Sequence, residues 1–164
     1  MKKIFKLKFS FTLISHSLKS IFYRYHSDKI NIIKQLMPRP KVVIDVGAHA
    51  GQVSKMISRA FSKKVKIIAI EPGLYARFIL RLSIFFNRLN NIDVLPFAVS
   101  DEQGFSFLNI PEKRKNSLGF GLSHMSNNHE DFTDRNFKTH YDYVSVTTID
   151  KIVNDNIFDV KNFN

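Results

Sequence analysis

The chain contains no cysteine. That absence excludes a disulfide framework, a thiolate zinc site, an iron–sulfur cluster and a cysteine nucleophile together. It fits a reducing compartment, and the expected location is cytoplasmic, with a place at the membrane periphery as the alternative. No run of about 18 apolar residues occurs, so no membrane-spanning helix is expected. Glycine is scarce at 6 residues, and neither a G-x-G-x-x-G dinucleotide fingerprint nor a G-x-x-x-x-G-K-[ST] phosphate loop can be found. A Walker-type ATP site is thereby excluded, and NAD becomes the weaker choice of nucleotide. Acidic residues are also few, 14 against 25 Lys plus Arg, for a formal net charge of +11.

The 164 residues, 44% hydrophobic and 24% charged, have the composition of an ordinary globular protein with room for one compact catalytic domain. The charge is unevenly placed. Residues 1–41 hold ten Lys or Arg and one acid, Asp28, for +9, which leaves +2 for residues 42–164. The expected organisation is a basic helical arm over 1–41 followed by an α/β domain over 42–164.

The arm opens with Lys2, Lys3, Lys6 and Lys8, but Ser10, Thr12, Ser15 and His16 interrupt its apolar stretch and no small-x-small cleavage site follows, unlike a secretory signal. Leu13, Ile14, Leu18, Ile21, Phe22 and Tyr25 recur with a period near 3.6, which predicts a helix. Ile30, Ile33, Leu36 and Met37 predict a second, capped by Ser27 or Asp28 and ended by Pro38 and Pro40. Such an arm either rests on anionic lipid or polyanionic glycan, or packs its apolar face on the next domain with lysines in water. Packing is the expected reading. Nucleic acid is not expected, because no basic stripe continues through the body.

Residues 41–52 read KVVIDVGAHAGQ: a β-branched run, Val42–Val46, then a glycine turn, then a helical stretch over 52–61. Gly47 and Gly51 permit positive φ, and a helix starting there directs its unpaired N–H groups and positive dipole end toward an anionic group. A second buried strand, 65–70, closes on Glu71 and Pro72. An acid at the end of the second strand can accept both hydroxyls of a ribose. A helix over Leu74–Asn87 follows, with Leu74, Phe78, Leu82 and Phe85 on one face; this stripe is expected in the core. Residues 91–97 supply a third strand, with Ala98, Val99, Ser100 and Asp101 at its end. Alternating strand and helix of this kind is one half of a doubly wound, Rossmann-like sheet, with the ligand at the carboxyl ends of the strands. Gly47, Glu71 and Asp101 are all expected at that edge. The short glycine turn suits S-adenosylmethionine, with its carboxylate at the turn and its ribose at Glu71.

VVIDVGAHAGQ, IAIEP, LPFAVSDEQG and VSVTTIDKIV resemble, in this order, successive blocks of the FkbM-type S-adenosylmethionine-dependent methyltransferases. The similarity spans residues 42–153. It implies a class I methyltransferase fold that binds S-adenosylmethionine and methylates an oxygen of a sugar or related small acceptor. Position by position, it implies that Asp45, Gly47, Ala48 and Gly51 surround the methionyl part and that Glu71 holds the ribose. Ala98, Val99 and Asp101 would lie beside the adenine. His49 stands where the family often has Asn, and Asp45 has the alternative role of a strand-end acid capping its own loop.

The base that would deprotonate an acceptor hydroxyl is not assignable; His124, His129 and His140 lie in a polar stretch, 111–140, with no metal-binding spacing. Hairpin strands are expected over 105–110 and 143–147, and Thr148 should open a short helix. The family pattern continues into a D-F-I-K-I-D-V-E-G-like strand, echoed here only by Asp159 and Lys161. The expectation is therefore a truncated domain, with a noncatalytic remnant as the alternative function. Its first strand would keep one unpaired edge and favour oligomers unless covered.

Overall fold

A computed structural model describes residues 2–23, 27–114, 117–118, 123–126 and 139–155. Tyr25, His129, Asp159 and Lys161, singled out above, lie outside them. The chain divides into two units, Met1–Leu95 and Pro96–Asn164.

In the first unit, α1 (Lys2–Phe22), a 3₁₀ turn (Ser27–Lys29) and α2 (Ile30–Leu36) precede β1 (Val42–Val46), α3 (Gln52–Ala60), β2 (Lys66–Ile70), α4 (Leu74–Asn87) and β3 (Ile92–Leu95). The three strands are parallel in the order β1-β2-β3, with Ile44 opposite Ile68 and Ile68 opposite Asp93. Ile67, Ile68, Ala69 and Ile70 of the middle strand are buried, as expected of a strand covered on both faces. Among the described residues β1 pairs on one side only. Ala48, Met56, Ile57, Val65, Ile67, Ala69, Leu80, Leu89 and Ile92 form the core, and Ile30 and Ile33 of α2 pack against it.

Neither Ser27 nor Asp28 caps α2; Lys29 takes the N-cap position without a side-chain bond. Two helix faces differ more substantially from expectation. On α4, Ala76, Ile79, Leu80 and Ser83 are buried, whereas Leu74, Phe78, Phe85 and Phe86 are exposed. The notch at Gly51 determines this rotation: Leu80 fills the space that a Cβ there would need. Ser83 Oγ meanwhile donates to the Ser20 carbonyl of α1 at 3.1 Å. Among the described side chains of α1, Ser17 and Ser20 are buried, while Ile14, Leu18 and Phe22 face water. The arm does pack on the domain: α2 does so through Ile30 and Ile33, as expected, but α1 buries these two serines and leaves those three apolar residues exposed.

The third strand is shorter than expected. Pro96 has no N–H to give the ladder, and the chain leaves β3 at Leu95. Residues Ala98–Val99 form β4 of the second unit, paired in parallel with β8 (Thr139–Thr147). Asp101 thus follows a strand of another sheet rather than closing β3. In that unit β8 runs antiparallel to β5 (Gly104–Arg114), which also pairs with β6 (Ser117–Leu118) and β7 (His124–Ser126). Both hairpin strands outrun their expected limits. Ala98, Leu108, Ile110 and Val144 form the core there. Thr148 opens α5 (Ile149–Asn154) as expected, its side chain accepting the Lys151 N–H at 3.1 Å.

Candidate functional site: the glycine turn between β1 and α3

The turn after β1 is built from three left-handed residues: Gly47 (φ +73°), His49 (φ +50°) and Gly51 (φ +80°). L-residues resist that region, so glycine belongs at two of the three positions. The two glycines serve different ends. A Cβ on Gly51 would run into Leu80 Cδ1, whereas a Cβ on Gly47 would meet nothing within 4 Å. Gly47 therefore borders open space, and Gly51 seats a helix.

Several amides expected to face a ligand are already engaged. Gly47 N–H and Ala48 N–H both donate to the Ile70 carbonyl, at 2.9 and 3.0 Å, which ties the turn to the end of β2. His49 N–H donates to Glu71 Oε2 at 2.8 Å, and Gly73 N–H donates to Glu71 Oε1 at 2.8 Å. The buried Glu71 carboxylate thus bridges the turn after β1 and the turn after β2, with each oxygen taking one N–H. A carboxylate oxygen accepts more than one hydrogen bond, so each retains capacity for a hydroxyl donor. Nearby, Arg77 Nη1 donates to the Glu71 and Pro72 carbonyls at 2.9 and 2.7 Å and holds the second turn in shape.

Asp45 accepts from Ser54 Oγ at 2.5 Å, joining the end of β1 to the first turn of α3. Burial raises its pKa, opposed by that hydrogen bond and by the Ser54 main chain. This is the geometry of an acid that caps its own loop. His49 Nε2 is buried without a hydrogen-bond partner. A buried polar atom left unsatisfied is costly and calls for a partner.

Beneath the turn lies a contact that the sequence did not disclose. Ser20 Oγ of α1 donates to the Ala50 carbonyl at 2.7 Å. Lys55, 3% exposed, sends its Nζ back to the carbonyls of Ser20, Ile21 and Tyr23 at the end of α1. A cation on the last carbonyls of a helix satisfies groups that have no intrahelical donor and meets the negative end of the dipole. Burial, with Arg59 nearby, lowers the Lys55 pKa to about 8. A lysine at the start of an amphipathic helix reads as solvated, so only the packing of α1 reveals this role.

The expected site residues thus fall in both units. Asp45, Gly47, Ala48, Gly51 and Glu71 are gathered at the two turns of the first. Ala98, Val99 and Asp101 belong to the second: Ala98 lies in its core, Val99 pairs with Thr147, and Asp101 is exposed. Asp101 Oδ1 accepts from Ser100 Oγ at 2.8 Å, a bond that lowers its pKa. His124 Nε2 lies 3.4 Å from Asn109 Nδ2. Among the described residues no group of three or more His, Asp or Glu is placed to hold a metal ion.

A strand, a glycine turn over a helix start, and an acid closing the next strand together form a recognisable plan, which comparison with known proteins makes specific. No curated protein matched the sequence. The model of the methyltransferase FkbM domain matches residues 45–163, a span that begins on Asp45 and takes in every site residue named above. With well over half of its length matched, the chain belongs to the FkbM methyltransferase domain family.

Proposed function

We propose that the chain is an S-adenosylmethionine-dependent methyltransferase with a Rossmann-like domain from residue 42 onward, acting on an oxygen of a sugar or related small acceptor. The observation that carries the cofactor reading is the Glu71 carboxylate. It is held rigid between the His49 and Gly73 amides at the end of β2, and each oxygen retains capacity for a ribose hydroxyl.

The surroundings fit the group. Gly47 borders open space, so it would leave room for a methionyl chain beside the turn. The orphaned Nε2 of His49 supplies a donor or acceptor that no protein atom satisfies. The start of α3 contributes partial positive charge for a carboxylate. Asp45 acts one step back, fixing the first turn of α3 through Ser54. S-adenosylmethionine supplies, when bound, a methyl group on a sulfonium. The residues of the turn contribute alignment, which converts a bimolecular encounter into an oriented one. The acceptor class rests on the family resemblance.

Calorimetry with S-adenosylhomocysteine tests the reading. Micromolar binding is expected, weakened roughly 10- to 100-fold by Glu71→Gln, since hydrogen bonds to a charged group contribute about 1.5–3 kcal/mol. Gly47→Ala should also weaken binding while the fold persists. Absence of both heat and thermal shift in the folded protein would overturn the cofactor assignment and favour a noncatalytic remnant. Methyl transfer from radiolabelled donor to sugar hydroxyls, against amine and carboxylate acceptors, tests the acceptor class.

A further inference from the structure

Helix α1 docks by its small residues. Ser17 and Ser20 are buried, Ser20 bonds to Ala50, and Lys55 grips the terminal carbonyls. With that face committed, Ile14, Leu18 and Phe22, spaced i, i+4, i+8, are left 54%, 49% and 75% exposed. Helix α2 repeats the arrangement in miniature: Ile33 packs on the core while Ile32 and Leu36 are exposed. Five large apolar side chains on two neighbouring helices of the sequence are thus held in water by the docking itself.

Cations accompany them. Lys19 lies on α1, Lys29 and Lys34 at α2, and Lys2, Lys3, Lys6 and Lys8 begin the chain, within a segment of formal charge +9. We propose that α1 and α2 form an interfacial anchor that lies on an anionic lipid surface, its exposed apolar side chains entering the headgroup–acyl boundary and Lys19, Lys29 and Lys34 meeting the headgroup charge.

The combination of charge and exposed apolar surface selects this occupant. A second copy of the chain would cover the apolar side chains but bring two strongly cationic segments together, which electrostatics opposes. A nucleic acid would neutralise the lysines and leave Leu18 and Phe22 in water. An anionic bilayer satisfies both, the mode of in-plane amphipathic helices. Helix α1 has 21 residues, but no helix among the described residues is long and apolar enough to cross a membrane.

The test is co-sedimentation of the full chain with vesicles of phosphatidylcholine alone or mixed with phosphatidylglycerol. Binding is expected only to the anionic vesicles, weakening as salt rises. Leu18→Ser with Phe22→Ser leaves the charge unchanged and removes only exposed groups, so the fold should persist by circular dichroism. Partitioning should fall at least tenfold, because each side chain loses its transfer out of water. The chain has no tryptophan, so Phe22→Trp gives a single reporter whose emission should shift to the blue on anionic vesicles. Failure to pellet, equal pelleting on neutral vesicles, or an unshifted emission would overturn the proposal. So would undiminished binding of the double variant, or a lipid-free dimer that the double variant abolishes.

Discussion

Substituting the two glycines of the turn should separate backbone strain from steric conflict. Both have positive φ, and an L-residue in that region costs about 1–2 kcal/mol. Gly47→Ala should cost about that and no more, because nothing lies within 4 Å of its added methyl. Gly51→Ala bears the same strain and a collision besides. Its Cβ runs into Leu80 Cδ1, while Leu80 Cγ at 3.5 Å and Leu80 Cα at 3.8 Å stay at ordinary contact distance, so the end of the Leu80 side chain is what must move. Leu80 is 1% exposed and wedged among core residues, and overpacking of this kind costs about 1–3 kcal/mol more. The expected loss at Gly51 is therefore about 2–5 kcal/mol, a large part of a small domain's stability. Urea unfolding with comparison of midpoints at equal m-value measures it. Adding Leu80→Ala to Gly51→Ala should cost less than the two singles summed, since the cavity of one accommodates the methyl of the other. Equal losses at Gly47 and Gly51, or strict additivity in the double variant, would refute the steric reasoning.

Three further outcomes are expected. Lys55→Met should free the end of α1, and hydrogen exchange should rise over residues 17–23 before the rest of the unit. The pH dependence carries a definite sign. Lys55 has a folded pKa of about 8 against about 10.4 unfolded, so between these values the unfolded state binds more protons and stability rises with pH. Urea midpoints from pH 7.5 to 10 should show an upward contribution that Lys55→Met removes. Asp45→Asn should leave the thermal midpoint at pH 7 unchanged or higher, because burial already disfavours the carboxylate and the amide oxygen still accepts from Ser54; a marked fall in midpoint would contradict this.

The legible parts of the fold were those marked by glycine, proline and β-branched runs. The sequence pattern and the structure share the limits Val42–Val46 and Leu74–Asn87, and α3 and β2 differ by one residue at one end. Hydrophobic periodicity failed on α1 and α4 for a shared reason. It scores large side chains, whereas Ser83 of α4 meets Ser20 of α1 and Leu80 of α4 lies over the bare Cα of Gly51, contacts whose value lies in close approach. The Leu74, Phe78 and Phe85 stripe consequently looked like core and is exposed. In the second unit, Pro111 and the polar residues around it read as loop, yet Pro111 pairs with Thr139 within β5 and β8. At the turn, the residue types were legible, but the internal bonding of Glu71 and Asp45 was not, because both depend on where the next element's amides and hydroxyls fall.

The bond from Ser20 to the Ala50 carbonyl makes the amino-terminal helix and the bend above Gly51 thermodynamic neighbours. Linkage is reciprocal: whatever tightens one tightens the other by the same free energy. Pulling the helix away would loosen the bend, and a molecule seated at the bend would make the helix harder to peel off.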